Sequence, residues 1–112
     1  MAITYTAVVN DSVNGVATYT GTADTNSAAS SISPGFEPSE ILVYQVTNNI
    51  TYRWAKGMTA GHMNKVIANG TQTHETSNGI TVTGAGSATG PVVTFGTGIH
   101  TNSASFVVVL RR

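Results

Sequence analysis

The sequence predicts an all-β protein: one domain of about nine short strands folded as a sandwich or barrel. Three observations carry this. Thirteen Val, seven Ile and eighteen Thr make up a third of the 112 residues, against only two Leu, a bias toward strands and away from helices. The dipeptide Asn-Gly occurs three times, at Asn14-Gly15, Asn69-Gly70 and Asn78-Gly79, and both residues tolerate the positive φ of a tight hairpin turn. No segment has the apolar spacing of an amphipathic helix.

Taken in order, residues 3–9 and 16–21 are strands joined at Asn14-Gly15, and 22–38 is a Ser-, Ala- and Pro-rich connection. Residues 40–47 and 50–56 are strand-like runs separated by Asn48-Asn49. A two-residue turn there pairs Thr47 with Ile50 and, counting outward, Gln45 with Tyr52, Tyr44 with Arg53 and Val43 with Trp54. Val43, Tyr52 and Trp54 then share the core face, while Tyr44 and Arg53 share the other face in cation-π range. Trp54 accordingly reads as a packed core residue, or else as an anchor at an interface.

Residues 57–64 form a Gly-hinged loop, 65–68 and 71–76 a hairpin around Asn69-Gly70, and 80–83 the strand following a third hairpin turn at Asn78-Gly79. A Gly-rich loop, 84–90, leads to the strand 92–95. The final strand, 106–110, is Phe-Val-Val-Val-Leu, apolar on both faces, which places it inside the sheet and not at an edge.

Charge is sparse: five Lys and Arg balance five Asp and Glu, and 9% of residues are charged where about 25% is usual. A surface built from Thr, Ser, Asn and Gly resists association poorly by electrostatic means, which suits a component of an assembly. Nucleic-acid binding needs clustered cations, and Arg53, Lys56, Lys65, Arg111 and Arg112 are scattered. With no Cys, disulfides and thiolate metal sites are excluded. The opening residues carry neither a secretory signal pattern nor an apolar span, so synthesis in a cytoplasm and no membrane attachment are expected.

Catalytic patterns are missing. His62, His74 and His100 are separated by 12 and 26 positions, with no HxH or HExxH spacing. Glu37 and Glu40 flank Pro38 at a strand entrance, where carboxylates ordinarily solvate a loop end. Residues 84–90 lack the final glycine of a GxGxxG loop and lead into a strand where a phosphate loop leads into a helix. The expectation is therefore a protein without enzymatic activity, cofactor or metal.

One ordered string of short motifs is familiar. Pro34-Gly35-Phe36-Glu37-Pro38-Ser39-Glu40-Ile41 leads into a strand, and Tyr52-Arg53-Trp54-Ala55-Lys56-Gly57-Met58 closes the next. Ser77-Asn78-Gly79-Ile80 follows a polar hairpin, and Phe95-Gly96 precedes Ile99-His100-Thr101-Asn102 and an apolar final strand ending in Arg. In this the chain resembles the capsid decoration, or cement, proteins of tailed bacteriophages over residues 34–112, the first 33 residues contributing nothing to the match. The resemblance implies a jelly-roll-like β-sandwich without an active site, carried on the outside of the virion capsid. It also implies a homo-oligomer, a trimer in preference to a dimer, bound to the major capsid protein.

On that footing the chain is a single domain, 1–112, and its function is to bind the assembled head and hold neighbouring capsid subunits together. The candidate contact residues are Trp54, Met58, His62 and Met63 in or beside the 57–64 loop, and the terminal Arg111 and Arg112; Met adapts to irregular contacts and Arg pairs with acidic patches. The alternative function is a host-recognition module of a fibre or tail tip, binding glycans through Trp54, Tyr52 and polar loops.

Overall fold

The computed structural model describes residues 3–24, 28–84, 90–99 and 103–112. Ten strands fill them: Ile3–Asp11 (β1), Val16–Ala23 (β2), Ser30–Ile32 (β3), Glu40–Gln45 (β4), Ile50–Ala55 (β5), Met63–Val66 (β6), Gln72–Glu75 (β7), Ile80–Thr83 (β8), Val92–Phe95 (β9) and Ser105–Arg111 (β10). They form a seven-stranded sheet, β1-β2-β10-β4-β5-β6-β7, and a three-stranded sheet, β3-β9-β8. Neighbouring strands run antiparallel, from β1·β2 through β6·β7 and in β3·β9 and β8·β9. The all-β class expected from composition is the one found, and of the sandwich and barrel it left open, two antiparallel sheets make the sandwich. No helix among the described residues is long and apolar enough to cross a membrane.

The core lies between the two sheets. The large sheet contributes Tyr19, Ile41, Val43, Tyr52, Trp54, Phe106, Val108 and Leu110, and the small sheet faces them with Ile32, Ile80, Val93 and Phe95. Each large side chain fully withdrawn from water contributes about 1.5–3 kcal/mol. As anticipated, the last strand is interior, with β2 on one side and β4 on the other. Its alternate residues Phe106, Val108 and Leu110 are buried, while Val107 and Val109 point to the opposite face and are half-covered.

The Asn48-Asn49 turn is longer than expected. Gln45 pairs with Ile50, Val43 with Tyr52 and Ile41 with Trp54, leaving Val46 to Asn49 as a four-residue loop. Residues 46 and 47 are drawn to β10 instead: the Val46 N–H donates to the Ser105 carbonyl at 2.9 Å, and the Ser105 N–H donates to Thr47 Oγ1 at 3.0 Å. The register therefore moves by two, an even step that leaves every side chain on its original face. Val43, Tyr52 and Trp54 still point inward, and Tyr44 and Arg53 still point outward, although Arg53 now opposes Leu42 and Tyr44 opposes Thr51.

Only two of the three Asn-Gly pairs make hairpins. Ser12 to Gly15 turn β1 into β2, with Gly15 alone at positive φ and the Asn14 side chain donating to Asp11 at 2.7 Å. Asn69-Gly70 closes β6 and β7 through a bond from the Gly70 N–H to the Ile67 carbonyl at 2.9 Å. Asn78-Gly79 instead carries the chain from β7 in the large sheet to β8 in the small one. There the Gly79 N–H donates to the Gly61 carbonyl at 3.0 Å, the Gly96 N–H to the Gly79 carbonyl at 2.7 Å, and the Gly98 N–H to the Asn78 carbonyl at 2.9 Å. Three backbone segments touch directly; a Cβ on Gly79 would lie 2.6 Å from the Gly61 carbonyl oxygen, and one on Gly96 would overlap the Asn78 peptide. Those glycines serve close approach, which a hairpin interpretation of the dipeptide overlooks.

Two further boundaries differ. β3 lies inside the segment expected to be a connection; Ser30 and Ile32 point inward and pair with Phe95 and Val93. Three residues with Ser at two positions leave no periodic signal in sequence. β6 starts at Met63, two residues before the expected strand.

Candidate functional site

Of the residues expected at an interface, two belong to the core. Trp54 is 6% exposed and Met63 1% exposed. The core interpretation of Trp54 holds, and Met63 is corrected from a loop contact to a core residue because β6 begins at it and turns its side chain inward. Met58 is half-buried against the same cluster. Met58 and an edge of Trp54 line an open surface pocket of about 440 Å³ with Glu40, Arg53, Asn64 and Gln72. Tyr52 is buried too, and burial, reinforced by the nearby charge of Glu75, pushes its phenol up to about 12. Burial does the same for Tyr5, offset in part by the Ser30 hydroxyl, which donates to Tyr5 Oη at 3.3 Å.

Arg111 and Arg112 part company. Arg111 ends β10 opposite Glu40 and Val16, its side chain exposed and its carbonyl accepting the Ser39 N–H at 2.7 Å. Arg112 is a clasp. Its N–H donates to the Gly15 carbonyl at 2.8 Å, and its guanidinium donates to the Val13 carbonyl at 3.1 Å and to the Ser12 carbonyl. The same guanidinium lies over the Phe36 ring at 5.8 Å. A cation-π contact thus joins Arg112 to Phe36, and the last residue ties down the β1–β2 turn. Asp11 at the base of that turn is held below the usual carboxylate range, chiefly by hydrogen bonds from Asn14 and, more weakly, by Arg112.

The clearest convergence of titratable side chains joins His62 to His74. His62 Nδ1 lies 3.0 Å from His74 Nε2, with the rings edge to face at an interplanar angle of 69°. His74 sits on β7 opposite Asn64, and His62 immediately precedes β6. A separation of 12 positions conceals this contact in sequence; it follows only from the pairing of Asn64 with His74, which the Asn69-Gly70 turn determines. His100 and residues 85–89 lie outside the described residues. Glu37 is ion-paired with Lys56 at 3.0 Å, and Glu40 takes its place in β4 opposite Ala55.

The largest feature is the outer face of the seven-stranded sheet, turned away from the core. Cross-strand register sets Thr18, Val109, Leu42, Arg53, Asn64 and His74 in one row, and Thr20, Val107, Tyr44, Thr51, Val66 and Gln72 in the next. Over β2, β10 and β4 these rows are neutral. Tyr44 is 41% exposed and Val46 60% exposed, and beside Val46 a shallow groove of about 450 Å³ is lined by Thr4, Thr6, Thr20, Thr22, Ser105 and Val107. The edge strand β1 adds exposed Val8 and Val9 at an irregularity in its pairing. Period-2 alternation within each strand is the sequence signal for this face.

Fold and surface together define an all-β antiparallel sandwich with one broad, weakly charged sheet face. Comparison with known protein families, with curated proteins and with solved structures returned no match.

Proposed function

We propose that this chain is a virion structural protein of a tailed bacteriophage, a capsid decoration protein that binds the outside of the assembled head and stabilises neighbouring major capsid subunits. The observation that carries the proposal is the outer face of the large sheet. Val46, Tyr44, Val107 and Val109, set among Thr18, Thr20 and Thr22, make an extended neutral surface on a rigid sheet. Such a surface associates through many modest apolar and hydroxyl contacts that symmetry repeats over a lattice. The ordered motifs from Pro34 to the last strand support the same assignment.

The mechanism is mass action: a ligand that binds only the assembled shell draws the equilibrium away from disassembly. Self-association into a trimer would present three such faces together, raising the effective concentration of each for the lattice. The alternative, a host-recognition module binding glycans, would use Trp54, Tyr52 and polar loops; Tyr52 is 1% exposed and Trp54 6% exposed, which leaves that reading chiefly the polar loops.

Quantitative mass spectrometry of purified parent particles tests the assignment. Hundreds of copies per particle, in a fixed ratio to the major capsid protein, are expected; a handful of copies or none would overturn it. Heads lacking the protein should also rupture more readily on heating and osmotic shock than complete heads.

A further inference from the structure

We propose that His62 and His74 form a two-imidazole site for a divalent late first-row transition-metal ion, with Cu²⁺ preferred to Ni²⁺ and Zn²⁺. The two nitrogens that face each other, His62 Nδ1 and His74 Nε2, are 3.0 Å apart. Imidazole nitrogens bind such ions at about 2.0–2.1 Å. Two ligands at that length and this separation subtend about 95° at the metal, near the cis angle of tetragonal coordination, whereas a tetrahedral ion would want them about 3.4 Å apart. Imidazole ligands with tetragonal geometry favour Cu²⁺, the ion that also stands highest in the general order of affinity.

Both ligands sit on fixed backbone. His74 is held in the β6–β7 ladder opposite Asn64. The His62 N–H donates to the Thr59 carbonyl at 3.0 Å, and the preceding Gly61 is bonded on both sides, its N–H to the Ile80 carbonyl at 3.1 Å and its carbonyl to the Gly79 N–H at 3.0 Å. The glycine junction that links the two sheets therefore also fixes the backbone of one ligand, so that metal binding has only the two rings to turn and order. Asn64 lies on the same face, opposite His74 and two residues beyond His62, where its amide oxygen is a further hard donor. Water completes the coordination, because His74 is exposed and His62 is half-exposed.

Without metal, the 3.0 Å contact is a hydrogen bond in which one ring donates its N–H to the other. Binding needs both facing nitrogens free of protons, so the donor ring moves its proton to its distal nitrogen. The inference does not depend on the virion assignment, because it concerns a site on the isolated chain.

Titration of the full chain with CuCl₂, followed by calorimetry and electron paramagnetic resonance, tests it. One ion per chain, with hyperfine structure from two equatorial nitrogens, is expected. His62→Ala and His74→Ala should each weaken binding at least about tenfold, and copper should raise the melting temperature of the native chain but of neither variant. Both positions are at the surface, and unchanged far-ultraviolet circular dichroism would verify the variants' fold. Copper binding that survives both substitutions, as at the N-terminal amine, or the absence of saturable one-to-one binding, would overturn the proposal.

Discussion

The inner and outer faces of the seven-stranded sheet are made by the same strands from similar residues, yet they have opposite fates. On β10, Phe106, Val108 and Leu110 face inward at 0–1% exposure, while Val107 and Val109 between them face outward and stay half-covered. On β4, Ile41 and Val43 are sealed, whereas Leu42 is half-buried and Tyr44 exposed. The difference lies in the lid: three strands cover one side of a seven-stranded sheet. Hydrophobic content alone does not distinguish a core from an open surface; the count of layers does.

Substitutions on each face sharpen that contrast. Phe106→Ala, on the sealed face, should have the largest effect, about 3–5 kcal/mol of stability lost in chemical denaturation. A loss under about 1 kcal/mol would mean the small sheet does not close on the large one.

Alkali attacks the same face through Tyr52. Because its phenol is raised from 10.0 to about 12 in the folded chain, the folded state holds that proton more tightly than the unfolded state. Its stabilising contribution is complete below pH 10 and is lost as pH rises from there toward about 12. Melting temperatures across this window should fall for the native chain and less steeply for Tyr52→Phe, so parallel curves would contradict the burial of the hydroxyl.

At the rim, Arg112→Ala removes the clasp on the β1–β2 turn and should lower stability by about 1 kcal/mol. Amide hydrogen exchange should quicken at Gly15 and its neighbours while β4 and β5 stay protected. The smallest effect on folding belongs to Val46→Asp on the open face, within about 0.5 kcal/mol. If the proposed capsid-binding function holds, the same substitution should abolish attachment to capsids, so that binding and stability separate cleanly.

The faces of the strands are legible in the sequence, and the joints between sheets are not. Alternation puts Val43, Tyr52 and Trp54 inside even when the turn is taken two residues too short, since an even slip preserves faces. Asn78-Gly79 misleads because the dipeptide signals permissive backbone, and close packing of glycines uses that permission as readily as a hairpin does. The His62–His74 contact and the Arg112 clasp, which reaches back across 99 positions to Val13, depend on register and tertiary closure, about which local patterns carry no information. For Met63 a strand boundary two residues out is enough to exchange a loop for a core.

The placement of β10 also governs the order of events in folding. It comes last of the ten strands in the chain yet lies at the middle of the large sheet, between β2 and β4. Until it arrives, the β1–β2 hairpin and the β4-to-β7 meander are separate pieces, each with an unsatisfied edge facing the gap. Joining them means closing a loop of about eighty residues between β2 and β10, and such distant pairing makes folding slow. During that interval the open edges of β2 and β4 invite strands from other chains. Dilute refolding should therefore favour the monomeric fold, while crowded refolding diverts chains into mispaired aggregates.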